Sequence, residues 1–185
     1  MSSWIWKAIL ISVVVCAHTT SAQIYRFARP LPISPPGPPT LRQLTLNSGY
    51  IFSGTVIAVK PIVAHDAHSV STVQITFRVE QGIRASRKGQ ILSIREWAGL
   101  WNSGERYTVG ERVLLFLYRP SKLGLTSPVG GAAGRFPLQS DGQIVLNDLL
   151  TTVLTTDPVI EPIIRGHVRL DPRLILPRIR RVVEE

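Results

Sequence analysis

Two short constellations in the 185-residue chain carry side chains that could do chemistry. His65-Asp66-Ala67-His68 places two imidazoles and a carboxylate within four residues, and neutral imidazole and carboxylate are common ligands of divalent ions. No flanking pattern supplies the outer hydrogen-bond partners that would fix such ligands, so a solvated loop between strands is the favoured reading of this segment. The second constellation is Arg95, Trp97, Trp101, Arg106 and Tyr107, interleaved with Glu96 and Glu105. Aromatic and arginine side chains on one connection give large contact area, small entropy loss and planar charge, which suits contact with a protein or a sugar. The competing reading has the tryptophans capping an apolar interior and the charges at its rim. This segment is the leading candidate binding surface.

Other chemistries find little support. Gly130, Gly131 and Gly134 lack the Gly-Lys-Ser/Thr ending of a phosphate-binding loop and open no helix, so close backbone approach explains them better. No serine stands in a Gly-x-Ser-x-Gly setting. The carboxylates Glu80, Glu96, Glu105, Glu111 and Asp141 show no spacing that recommends a catalytic pair. Catalysis is therefore not expected, and neither is a cofactor.

The N-terminus carries Lys7, an apolar run from Ala8 to Ala17 and a polar end with small residues at Thr20 and Ala22. This is the layout of a secretory signal peptide, residues 1–22, cleaved after Ala22. The apolar run is about half of the roughly 20 residues that cross a bilayer, so no stable membrane insertion is expected after cleavage, and the protein is expected in the periplasm or outside the cell. Cys16, the single cysteine, falls within the leader, which leaves the mature chain without disulfides or thiolate metal sites. Loss of Lys7 lowers the basic count from 21 to 20 against 12 acidic residues. Such an excess attracts acidic glycans, nucleic acid or anionic lipid by its long-range field, unless it is simply a solvated surface. Arg84, Arg87 and Lys88 form one small basic patch of this kind.

The elements that must position these residues follow from hydrophobic period and breakers. Residues 23–40 contain Pro30, Pro32, Pro35, Pro36, Pro38 and Pro39, a semi-rigid linker unable to join a sheet centre. Thr40 caps a predicted helix over Leu41 to Asn47 whose apolar face is Leu41, Leu44 and Leu46. Tyr50 to Val63 reads as a long strand bent or bulged at Gly54, and Val73, Ile75, Phe77 and Val79 alternate strictly with polar residues. Further strands fit Gln90 to Glu96 and Val113 to Tyr118, with shorter candidates at Gly124 to Val129 and Arg135 to Leu138 and a turn at Ser140-Asp141-Gly142 leading into Ile144. The fold class is mainly β: a small five-stranded closed barrel over residues 41–147 with short flanking helices. Residues 148–185 read as an extension ending in a helix capped by Asp171 and started by Pro172, interrupted at Pro177, with Arg178, Arg180 and Arg181 towards solvent.

Three segments, Ser53-Gly54-Thr55-Val56, Thr76-Phe77-Arg78-Val79-Glu80 and Tyr107-Thr108-Val109-Gly110-Glu111-Arg112-Val113-Leu114-Leu115-Phe116-Leu117, together with Gly130-Gly131, Gly134-Arg135-Phe136 and the Asp141-Gly142 turn, carry a resemblance. Their order resembles bacterial secreted proteins whose barrel is like that of tissue inhibitors of metalloproteinases and netrin modules, an OB-like fold. The resemblance spans roughly Leu41 to Leu146 and implies protein binding. The inhibitors chelate a catalytic zinc through an N-terminal cysteine, and here the mature chain starts Gln23-Ile24-Tyr25, so that device is not carried over. The expected function is a non-catalytic exported binding module for a protein partner such as an extracytoplasmic protease or envelope component. The alternative is a binder of acidic glycan or single-stranded nucleic acid.

Overall fold

Thr40 begins the fold with a reciprocal cap: its hydroxyl accepts from the Gln43 N–H (3.1 Å) and the Gln43 side chain accepts from the Thr40 N–H (2.8 Å). The computed structural model describes residues 37–64, 69–102 and 106–185. Helix α1, Leu41–Asn47, buries Leu41, Leu44 and Thr45 and leaves Leu46 exposed. The face expected from the sequence included Leu46, but at 100° per residue only the i, i+3 and i+4 positions share a side. Arg84 reaches across to the helix end, its guanidinium donating to the carbonyls of Thr45 (2.8 Å) and Ser48 (2.9 Å). Those are carbonyls a helix end leaves unpaired, so one member of the basic patch is a structural tie.

Strands β1 (Tyr50–Ile62) and β2 (Thr72–Arg84) form a long antiparallel hairpin, and β3 (Ile91–Trp97) pairs with the far side of β2. A Cβ on Gly54 would stand 2.7 Å from the Arg78 carbonyl oxygen, and the register shifts there. The bend read from the sequence is thus a bulge that only glycine fits. After a short helix α2 (Ala98–Asn102), β4 (Arg112–Leu117) returns along β1. A 3-10 turn, Gly131–Gly134, leads into β5 (Arg135–Leu138), then β6 (Ile144–Val145), helices α3 (Asp148–Thr155) and α4 (Glu161–Ile164), β7 (Arg169–Leu170) and α5 (Pro172–Glu184).

The fold is mainly β, and all strand pairings are antiparallel in the order β3-β2-β1-β4-β5-β6-β7. The sequence led to a closed barrel of five strands; among the described residues the sheet has seven and is not closed, because β5, β6 and β7 extend outward from β4 and no ladder joins β7 to β3. The segment 125–128 nonetheless touches both β4 and β3. Tyr118 N–H donates to the Ser127 carbonyl (3.0 Å), Leu117 bridges Pro128, and Thr126 N–H donates to the Arg95 carbonyl (2.8 Å).

Burial divides into two cores on opposite faces of this sheet. Val113, Leu115 and Leu117 of β4 join Phe52, Val56, Ile75, Phe77 and Ile94 inside the curl of β1 to β4. Leu114 and Phe116, alternating with them, face the helices with Leu44, Phe136, Leu150, Val153, Ile164 and Ile175. Residues 148–185 therefore supply much of one core. Asn147 caps α3 by accepting from Leu150 N–H (2.8 Å), and Asp171 caps α5 by accepting from Arg173 N–H (2.9 Å). Helix α5 continues through exposed Pro177, which removes one bond to the carbonyl of Arg173 near the first turn. Arg178, expected in solvent, pairs with Asp157 at 2.9 Å and ties α5 to the turn after α3.

Phe77 is fully buried and packs edge-on against Phe52 (5.3 Å) and Tyr107 (5.7 Å). Phe77→Ala is expected to destabilise the protein by about 3–5 kcal/mol, measured as a lowered urea midpoint with unchanged slope.

Candidate binding surface

Strand period decides how the Arg95 to Tyr107 constellation is divided. Successive side chains of β3 point to opposite faces, so Ile94 and Glu96 turn inward while Ile91, Ser93, Arg95 and Trp97 turn outward. Glu96 is consequently 2% exposed. A buried carboxylate requires hydrogen-bond partners, and two of the expected contact residues supply them. Trp101 Nε1 donates to Glu96 Oε2 and Tyr107 Oη donates to Glu96 Oε1, each at 3.3 Å. Tyr107 is itself buried, and burial, reinforced by the Glu96 charge, pushes its phenol well above the ordinary value. It therefore stays protonated and donating.

Positive charge closes the inner cluster. The Arg135 guanidinium lies 4.3 Å above the Tyr107 ring, pairs with Glu111 and donates to the Arg106 carbonyl at 2.8 Å. Arg106 in turn donates through Nε to the Trp101 carbonyl at 3.2 Å. Exposed Arg106 thus braces Trp101 from outside, while Trp101 and Tyr107 are tied to Glu96, a residue the sequence placed among the loop charges and not in the interior. Its parity with Ile94 was the available signal.

The outward half is different. Trp97 is 53% exposed and its ring lies against Gly99, where an added Cβ would stand 2.4 Å from the indole. Trp97 and Tyr118, the latter 42% exposed, flank a shallow groove of about 290 Å³ lined also by Leu100, Arg119, Leu125 and Thr126. Arg95 is held beside it by donating to the Leu123 carbonyl at 3.0 Å, and exposed Lys122 follows the lining residue Ser121 in the chain. No carboxylate lines the groove among the described residues. Tyr118, Arg119 and Leu125 were not among the sequence candidates, because they come from the loop after β4, which only the fold brings beside β3.

A larger cleft of about 420 Å³ lies between β1, β2, β4, the 141–143 turn and the start of α5. Its central charges satisfy one another: Arg112 binds both Glu80 oxygens, Thr55 Oγ1 donates to Glu80 at 2.6 Å, and the remaining Arg112 nitrogen donates to the carbonyls of Gln139 and Ser140 at 3.1 Å. The hydrogen bonds from Arg112, then Thr55, hold the Glu80 carboxyl below its usual range against the opposing effect of burial. Size alone therefore does not make this cleft the better site. His65, Asp66, His68 and Glu105 lie outside the described residues.

No protein-family model, curated protein or solved structure matches the chain.

The two halves of the constellation should separate on mutation. Glu96→Ala strands one buried donor, Tyr107, and one partly buried donor, Trp101, and is expected to cost about 2–4 kcal/mol, whereas Trp97→Ala is expected to stay within about 1 kcal/mol, both read by urea unfolding. The Glu80 carboxyl, lowered in the folded state, adds stability above its unfolded value near about 4.3 and loses it as pH falls through the folded value. The gap in urea midpoint between the parent and Glu80→Gln should therefore be open at neutral pH and shut in acid.

Proposed function

We propose that this protein is an exported, non-catalytic binding module that holds a protein partner against the Trp97 and Tyr118 groove. The observation that carries the reading is the exposure of Trp97 at the end of a strand whose other aromatic neighbours are spent on the interior. A half-exposed indole braced on a glycine presents rigid apolar area at small entropy cost, and tryptophan, tyrosine and arginine are the residue types that dominate protein contacts. The hydrogen bonds of 125–128 to both β4 and β3 support reading β1 to β4 with this segment as an incompletely closed OB-like barrel, in keeping with the resemblance to netrin-like secreted proteins. In that reading the groove sits at the seam where the barrel is joined by a single segment, and an extracytoplasmic protease or envelope protein is the expected partner class.

Chemical crosslinking of the mature protein in the secreted fraction of the producing cell, followed by mass spectrometry, tests the surface. Capture of a defined protein should persist in Trp101→Phe and be lost in Trp97→Ala with an unchanged circular dichroism spectrum. Equal capture by Trp97→Ala would reject this groove.

A further inference from the structure

We propose that the occupant of the Trp97 and Tyr118 groove is an acidic, extended peptide segment of the partner, anchored by one apolar or aromatic side chain; this rests on the binding reading above and names what fills it. Charge complementarity is the first support. Arg119 lines the groove, Arg95 is held beside it by the Leu123 carbonyl, and exposed Lys122 is next in the chain to the lining residue Ser121, with no lining carboxylate among the described residues. The outer sheet face beside it continues the same sign. Lys60 pairs with Gln74, Gln74 with Arg95, and Arg78 with Ile91, so three cations occupy adjacent strands on the exposed side. The one carboxylate of β2, Glu80, is already engaged by Arg112. A chain with formal charge +9 adds a favourable long-range field for an acidic approach.

The groove's shape selects an anchor. Trp97, Leu100, Tyr118 and Leu125 give it apolar lining, and Arg119, Ser121, Thr126 and Ser127 supply the polar remainder. This mixed lining suits one apolar side chain laid against the rings, with the flanking residues of the peptide over the cations. A nucleic-acid strand needs successive stacking platforms along a charged track. The groove offers two exposed rings, Trp97 and Tyr118, and beyond them the outer face of β3 continues with Arg95, Ser93 and Ile91 and no further ring, a short platform that favours the peptide over a stacked strand.

Fluorescence anisotropy on the full chain tests this with three labelled peptides that share one central tryptophan and differ in flanks rich in Asp and Glu, in Asn and Gln, or in Lys. The acidic peptide should bind on the order of tenfold tighter than the neutral one, and the lysine peptide weakest. Its affinity should fall as added salt shortens the screening length from about 30 Å at 0.01 M to about 8 Å at 0.15 M. It should also fall on the order of tenfold in the exposed double variant Arg119→Glu, Lys122→Glu, and be lost in Trp97→Ala. Salt dependence in the unsubstituted protein keeps the test valid if the double variant folds poorly.

Equal binding of the neutral peptide, no binding of the acidic one, or tighter Trp97-dependent binding of oligothymidylate or a heparin fragment would overturn the proposal. Trp97-dependent dimerisation of the chain, in place of peptide binding, would overturn it as well. If the crosslinked protein is lost in Trp97→Ala but indifferent to Arg119→Glu, Lys122→Glu and to salt, the binding reading stands and the acidic occupant falls. If Trp97→Ala captures normally, both fall.

Discussion

Strand β4 is buried on both faces, and that constraint organises the rest of the molecule. Five consecutive apolar residues, Val113 to Leu117, leave no side of the strand for water. The odd positions require one core, met by the inner face of the β1–β2–β3 curl, and the even positions require a second, met by the helices after β6. A sheet covered on both faces at its centre has no need to close completely. The extra strands β5 to β7 and helix α5 are the cover for Leu114 and Phe116. Because burying apolar area is the main favourable term in folding, this double coverage lets a described region without cysteine build its stability from packing alone.

Polar groups drawn into these cores are paired. Among the described residues no buried side-chain nitrogen or oxygen lacks a partner. Glu96 shows how this shapes the surface. Once β3 pairs with β2 in the observed register, parity places its carboxylate inside, and Trp101 and Tyr107 are recruited to satisfy it. Trp97, one residue on, must then face out. The exposed aromatic edge and the buried polar cluster are therefore two consequences of a single register, and a slip by one residue would exchange them.

Much of the fold was legible in the sequence where one period or one cap dominated. Thr40 with Gln43 marked the start of α1, strict alternation marked β2, and Gly54 marked the bulge. The Asp141-Gly142 turn was readable because Asp141 accepts from Gln143 N–H and Gly142 takes a positive φ of 83°. Helix α3 was not read, although Leu150, Val153 and Leu154 have helical spacing behind the cap at Asn147. Threonines and later prolines diluted that pattern, and its apolar face has meaning only against Leu114 and Phe116. Within the candidate site the residue types were visible but their division was not. A carboxylate reads as surface in any hydrophobicity pattern, and the contribution of Tyr118 and Leu125 depends on a loop that the chain brings back some twenty residues or more after Trp97.

The division of the two tryptophans is the claim on which the account turns. Acrylamide quenching of fluorescence, with Trp4 and Trp6 replaced by phenylalanine and either Trp97 or Trp101 retained, measures it directly. The protein keeping Trp97 should be quenched readily, and the protein keeping partly buried Trp101 should be quenched distinctly less until urea unfolds it. Equal quenching of both, or a shielded Trp97 beside an accessible Trp101, would contradict the claim.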